Sequence, residues 1–425
     1  TTYSSGGDKD GGSSGNDRSR GGSTASAAGT AVTDGGGTVT ATASVDGSGN
    51  ASAAVTQAQI SNAIAKASEA AAKSGRPAMV EIKVKAPADA KTVETTIPQA
   101  SIRELARGKV EALTINTPAA EITFDAEALS AISERAAGEV KITVARADAS
   151  SLSEADRQKI GDRPVLDFSV KSGDKEITQF RGTATVSVPY TPKPGEDINA
   201  IVIYYIDAKG EAEAVAGCWY DPATGRVIFE TDHFSTYAVG YNKISFRDVE
   251  QASPYAEAVT FIAARGITGG TGNGNFSPGE GLTRGEFLVM LMRACNIAPD
   301  RDISENFADA GNTWYTGYLA AAKRLGISEG VGANSFAPER KITNQELYTM
   351  LYNSLEAMNR LPEAASGKTL TAYSDSGEVA SWASTAMSHF AKADILAGSG
   401  GKLSPAAAAT RAAWSGTPRV PAKAC

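Results

Sequence analysis

The 425-residue chain reads as a multi-domain α+β protein, in which a β-rich, sandwich-like module precedes an all-α unit of three repeats. Three observations predict this. Apolar residues alternate with period two between about residues 78 and 241, the helical period takes over after residue 243, and from there one pattern recurs three times. The length agrees, since roughly 150 residues per domain makes about three domains.

Residues 1–55 hold 13 of the 43 glycines and no Leu, Ile, Phe or Trp, so little is available to offset backbone entropy. They are expected to form a flexible linker that contributes nothing to folding, although the alternation within residues 37–55 would suit one edge strand. The β-rich module is assigned to residues 56–243 and opens with a helix over residues 57–73, where Ile60, Ile64, Ala67 and Ala71 share a face before Gly75-Arg76-Pro77 ends it. Val80, Ile82 and Val84 then alternate with Glu81, Lys83 and Lys85. Similar runs at 113–117, 122–124, 140–144, 165–170, 184–188, 200–206, 226–230 and 235–239 predict an antiparallel sheet or sandwich, with helices at 101–106 and 126–136.

The three repeats are assigned to residues 244–305, 306–371 and 372–425. Phe246-Arg247-Asp248 is answered by Phe307-Ala308-Asp309 and Tyr373-Ser374-Asp375; Gly266-Ile267 by Gly326-Ile327 and Asp394-Ile395; Phe276-Ser277-Pro278 by Phe336-Ala337-Pro338 and Leu403-Ser404-Pro405. The prolines lie 60 and 67 residues apart. Each unit reads as helix, Gly-rich loop, helix, with Ser253-Pro254 a good start, Gly266 a C-cap, and a second helix over 283–293 whose apolar face includes Phe287, Met290 and Leu291.

These motifs resemble the S-layer homology family over about residues 244–412. The resemblance rests on the aromatic-x-Asp start, a Trp or Tyr opening the first helix (Tyr255, Trp314-Tyr315, Trp382), the Gly-Ile step, the aromatic or Leu-x-Pro, and Thr283-Arg284-Gly285-Glu286. It implies a pseudo-threefold spindle that anchors a secreted surface protein of a Gram-positive bacterium noncovalently to secondary cell-wall polysaccharide, often through a pyruvate-ketal sugar. The implied binding residues are Arg284, Arg411, Glu286, Tyr255, Trp314, Trp382, Gly272 and Gly332. Arg presents a planar fork of donors suited to a carboxylate, and an aromatic ring suits the apolar face of a sugar. Self-association in a surface layer is a further implied partnership. Residues 98–241 are also similar to β-rich modules found upstream of such repeats.

Two departures bear on the sites. Repeat 2 reads Thr343-Asn344-Gln345-Glu346, with a neutral amide where the guanidinium is expected, so its groove is expected to be weak. Repeat 3 reads Thr410-Arg411-Ala412-Ala413-Trp414 and continues through Gly416 and Pro418, which cannot extend a helix, so the C-terminal twelve residues look foreign to the repeat. Thr283 with Glu286, and Thr343 with Glu346, are also capping boxes, which need no Arg284. Asp248, Asp309 and Asp375 are expected to cap turns.

A formal net charge of −7 argues against nonspecific nucleic-acid binding. Apolar runs fall short of a membrane span, and Cys218, Cys295 and Cys425 have no zinc-ligand spacing. No metal or cofactor is expected. His233 stands beside Asp232 and Ser235, too close along one strand to converge as a triad, and a Cys218–His233 pair has nothing in sequence to bring it together. The chain is therefore expected not to be an enzyme itself. The alternative reading is the C-terminal anchoring part of a secreted carbohydrate-active enzyme whose catalytic domain lies upstream; an adhesin role for the β module is a third.

Overall fold

The computed structural model describes residues 31–33, 37–108, 110–150, 152–396 and 398–415. The β module runs β1 (Ala31–Thr33), β2 (Thr38–Thr42), β3 (Ser44–Val45), β4 (Asn50–Ala54), α1 (Gln57–Ser74), β5 (Met79–Lys85), β6 (Thr92–Ile97), α2 (Gln99–Ala106), β7 (Ala112–Asn116), β8 (Glu121–Asp125) and α3 (Ala126–Arg135). It continues with β9 (Val140–Arg146), α4 (Glu154–Ile160), β10 (Val165–Ser172), β11 (Lys175–Glu176), β12 (Gln179–Pro189), β13 (Ile201–Ile206), β14 (Ala212–Ala214), β15 (Trp219–Asp221), β16 (Arg226–His233) and β17 (Thr236–Tyr241).

These strands form two sheets over one core. The first has the order β1-β2-β5-β7-β8-β12-β16-β15, and the second β14-β13-β17-β10-β9-β6-β4-β3 with β11 beside β10. The predicted alternation holds on β5, where Val80, Ile82 and Val84 are buried. The antiparallel expectation fails at β2–β5, β4–β6 and β5–β7, which pair parallel. The chain between the members of each pair includes α1 or α2, and such crossovers bring a strand back in the same direction.

The linker expectation also fails for residues 37–55; residues 1–30 and 34–36 lie outside the described residues. Val39, Ala41, Ala51, Ala53 and Val55 are buried in the β core. Small side chains suffice because the partner elements come close: a Cβ at Gly37, whose φ is +87°, would sit 2.8 Å from the Met79 carbonyl and 2.9 Å from Ala67 Cβ of α1. α1 is fixed at its start by a Thr56–Gln59 capping box and ends on Gly75 in the left-handed region.

The repeat region holds six helices among the described residues, α5 (Ala256–Ala264), α6 (Arg284–Ala294), α7 (Thr316–Arg324), α8 (Asn344–Ala357), α9 (Ser384–Lys392) and α10 (Arg411–Ser415). They share a second core. The C-terminal expectation is corrected here in part: α10 starts as a second helix should, and Trp414 is fully buried, edge-on to Phe287 with ring centroids 4.9 Å apart. Trp414 stands where Phe287 and Leu347 stand in the other repeats. Residues 416–425 lie outside the described residues.

Arg265, at the end of α5, joins the two cores. Its Nε donates to the Cys218 carbonyl (2.6 Å), Nη1 to those of Asn199 (2.8 Å) and Phe261 (2.9 Å), and Nη2 to that of Ile201 (3.0 Å), while the guanidinium lies 3.5 Å from the Phe261 ring centroid. Three of the four acceptors belong to the β module. Asn242 Nδ2 adds a bond to the Ala264 carbonyl, and Arg360 pairs with Glu230. Burial pushes the Arg265 guanidinium below its ordinary pKa, against which the four carbonyl dipoles and the Phe261 ring hold the charge. Arg265→Ala strands buried carbonyls on both sides and is expected to cost about 3 kcal/mol or more. Calorimetry should then show a lower midpoint with the β module and the repeats melting apart; one unchanged transition would show that the clasp does not couple them.

Candidate functional site

The first helix of each repeat ends on a left-handed residue: Gly266 (φ +69°), Gly326 (φ +72°) and Asp394 (φ +57°). The amides of Ile267, Ile327 and Ile395 turn back onto the carbonyls of Ile262, Ala322 and Phe390, which stops each helix. The loop that follows is held by the aspartate of the aromatic-x-Asp motif. Asp248 accepts from the Phe276 and Ser277 amides (2.8 and 2.7 Å), Asp309 from Phe336 and Ala337 (2.7 Å each), and Asp375 from Leu403 and Ser404 (2.8 and 2.7 Å). The middle residue of Phe/Leu-x-Pro is itself left-handed, with φ of +57°, +57° and +47° at Ser277, Ala337 and Ser404. A carboxylate on two consecutive amides is what holds that strained step.

The second helices then meet in a closed cycle. Leu282 N donates to the Ala409 carbonyl (2.9 Å), Ala409 N to Ile342 (2.9 Å), and Ile342 N to Leu282 (3.0 Å). The first amides of each second helix, which have no partner within their own helix, cap onto the next repeat's loop. Arg284 and Gly285 donate to Arg340 and Pro338, Asn344 and Gln345 to Ala407 and Pro405, and Arg411 and Ala412 to Glu280 and Pro278. Repeat 1 leans on repeat 2, repeat 2 on repeat 3, and repeat 3 on repeat 1.

The two arginines follow the same rule. Arg284, with 3% of its side chain exposed, donates from Nε to the Phe336 carbonyl (2.8 Å) and from Nη1 to Glu346 Oε1 (2.9 Å), its guanidinium 4.6 Å from the Phe336 ring. Arg411 reaches the Phe276 carbonyl (2.7 Å) and Glu286 Oε1 (3.3 Å) in repeat 1 and lies 5.1 Å from the Phe276 ring. Both glutamates use the other oxygen for the capping box, Oε2 accepting from Thr283 N (2.8 Å) and Thr343 N (2.9 Å). Arg340 also pairs with Glu346. Burial lowers the Arg284 pKa, against which the Glu346 carboxylate acts; Glu346 is raised by burial but carried below its ordinary value by Arg340, the Thr343 amide and Arg284. The arginines thus hold one repeat to the next, a task the motif reading did not assign them.

The aromatic residues divide into two positions where the sequence suggests one. Tyr255, Tyr315 and Ala383 are the N-caps of α5, α7 and α9; Pro254, Trp314 and Trp382 come one residue earlier. Tyr255 is half-buried against the core, and Tyr315 is buried with its hydroxyl donating to Glu339 (2.8 Å). Trp314 and Trp382 are 59% and 55% exposed. Packing does not account for them. Gly272 (φ +99°) and Gly332 (φ +105°) are exposed turn residues whose carbonyls accept from Asn275 (3.0 Å) and Ser335 (2.9 Å), a backbone conformation that favours glycine. Arg284, Glu286 and Arg411 therefore gather at the junctions, the tryptophans at the helix starts, and the glycines at the loop tips. His233 is bonded to Asp232 (2.8 Å), while Ser235 turns to the Ile206 carbonyl and Cys218 accepts from Ile203 N.

Asp375 is drawn below 3.8 by the Leu403 and Ser404 amides against the cost of burial, and at Asp248 the Phe276 and Ser277 amides outweigh burial in the same direction. A carboxylate lowered in the folded state stabilises it fully above the unfolded value and loses that effect as pH falls through the folded one. The repeat region should hold its melting midpoint from pH 7 to 5 and lose it below about pH 4. Asp375→Asn should lower the midpoint at pH 7 and flatten the acid decline; a parallel decline would show that Asp375 does not contribute to it.

The S-layer homology domain matches residues 245–288, 306–347 and 372–413, a span that takes in all three clasps and the arginines. An amylopullulanase of Thermoanaerobacterium thermosulfurigenes is 27% identical over 250 residues, 58% of this chain and 13% of its own length. The S-layer protein sap of Bacillus anthracis is 27% identical over 40% of the chain and 20% of its own length, and the exoglucanase XynX of Acetivibrio thermocellus 28% identical over 40% and 15%. The chain thus spans a fifth or less of these relatives. Repeated motif, reciprocal junctions and relatives agree: residues 245–288, 306–347 and 372–413 are three S-layer homology domains, which set this chain at the cell surface against the cell wall.

Proposed function

We propose that the repeat ring is an all-α spindle that anchors a surface protein noncovalently to secondary cell-wall polysaccharide carrying pyruvate-ketal sugars. The observation that carries the reading is the exposure of Trp314 and Trp382 at one structural position in two repeats. An indole more than half exposed on a well-packed helix start is a flat apolar surface for a sugar ring. The residues proposed to line these sites are Trp314, Trp382, Tyr255, Arg284, Arg411, Glu286, Gly272 and Gly332. The role is binding without chemistry. In a surface layer the same anchor would orient copies of the chain for self-association.

The alternative, an anchor for a carbohydrate-active enzyme, is favoured by one observation. The amylopullulanase match runs 250 residues, longer than the interval from 245 to 413, so it extends beyond the repeats. The β module would then travel with the anchor as a spacer between wall and catalyst.

Wall sacculi, before and after extraction of their secondary polymer, test the reading. The chain should sediment with the first and not the second. Trp382→Ala and Trp314→Ala should each weaken binding about tenfold, the contribution of about 1.4 kcal/mol expected of one aromatic contact, with an unchanged melting midpoint. Equal sedimentation with extracted sacculi would exclude the secondary polymer as ligand.

A further inference from the structure

We propose that the junction between repeats 2 and 3 is a seam at which the ring opens first, because residues 344 and 413 occupy the positions of the cross-repeat ion pair and carry neither of its charges. The arginine that starts α6 reaches the fourth motif residue of repeat 2, Arg284 to Glu346, and the arginine that starts α10 reaches that of repeat 1, Arg411 to Glu286. By the same rotation, residue 344 on α8 must face residue 413 on α10. These are Asn and Ala. The arginine missing from repeat 2 and the glutamate missing from repeat 3, which look like two unrelated departures along the chain, belong to one junction.

The backbone frame there is intact. Asn344 N and Gln345 N donate to Ala407 and Pro405 at 3.0 Å, matching the other two junctions. The change lies in the side chains. Asn344 Nδ2 donates to the Ser404 carbonyl (3.0 Å) and, at 3.4 Å, to that of Leu403, and Gln345 Oε1 accepts from the Ala380 amide (3.0 Å); Arg284 and Arg411 reach the Phe336 and Phe276 carbonyls and in addition carry a cation to a carboxylate and over a ring. Leu403 replaces that ring in repeat 3. Ala413 cannot return to Thr410 as Glu286 does to Thr283, so the cap of α10 is incomplete too. Junctions 1–2 and 3–1 are ionic and aromatic; junction 2–3 is neutral. Opening there leaves repeat 3 attached to repeat 1, converts the closed ring to an open one, and frees the start of α8.

Hydrogen exchange on the full chain tests this directly. The amides of Asn344 and Gln345 should exchange at least tenfold faster than those of Arg284 and Gly285, and than those of Arg411 and Ala412. Restoring the pair gives an independent readout. Ala413 is exposed. Asn344→Arg alone buries an unpaired guanidinium and should lower the melting midpoint, whereas Asn344→Arg with Ala413→Glu should recover it and slow exchange at 344 and 345 to the level of the other junctions. Ala413→Glu alone completes the α10 capping box and should raise the midpoint slightly. Equal exchange at the three junctions in the unmodified chain would overturn the seam, and an additive double variant would overturn the pairing of 344 with 413.

Discussion

The repeat region depends on one constraint: the first amides of a helix have no partner in their own helix. In α6, α8 and α10 these donors are taken up by carbonyls of the next repeat, and the Leu282–Ala409–Ile342 cycle closes the set. A single repeat offers donors at its second helix and acceptors at its Phe/Leu-x-Pro loop but satisfies neither. Three repeats, each turned onto the next, close the set. The loop must therefore be held in a conformation that presents its carbonyls. That is the work of Asp248, Asp309 and Asp375, which pin two amides each behind the left-handed residue.

The side chains elaborate this frame. A glutamate at the third helical position has two oxygens, one for its own cap and one for the arginine of the preceding repeat, so a single carboxylate both starts a helix and receives its neighbour. That double use explains why arginine and glutamate belong together in the motif. The tryptophans at 314 and 382, by contrast, take no part in the junctions and stay more than half exposed.

The β module is fastened to this ring chiefly by Arg265, whose guanidinium has no carboxylate partner among the described residues. Arg265 has no equivalent in the other repeats, where Leu325 and Ala393 follow α7 and α9. Burying its charge among carbonyls makes sense only if both sides of the interface are ordered, and Ala264 and Ala216 show that order, each packing in the core of the other part.

Much of this was legible along the chain. Period-two alternation marks nine of the thirteen strands from β5 to β17, passing over β6, β11, β14 and β15; the capping boxes mark the starts of α6 and α8, and the repeated motifs mark three units, because all of these are local: a strand face or a helix cap is specified by residues within a few positions. Residues 37–55 were misjudged because burial of Val39, Ala41 and Ala51 is decided by partner strands far along the chain and not by side-chain size. The parallel pairs followed from crossovers that no local period encodes. The junction chemistry was hidden for the same reason: Arg284 meets Glu346 across 62 positions and Arg411 meets Glu286 across 125, so Asn344 and Ala413 read as separate lapses until the ring brings them to one interface. What the sequence determined by itself was the threefold repetition and the locally specified elements; the closed ring alone decided which charges pair within the protein and which aromatics stay exposed, since side chains find partners by distance in space.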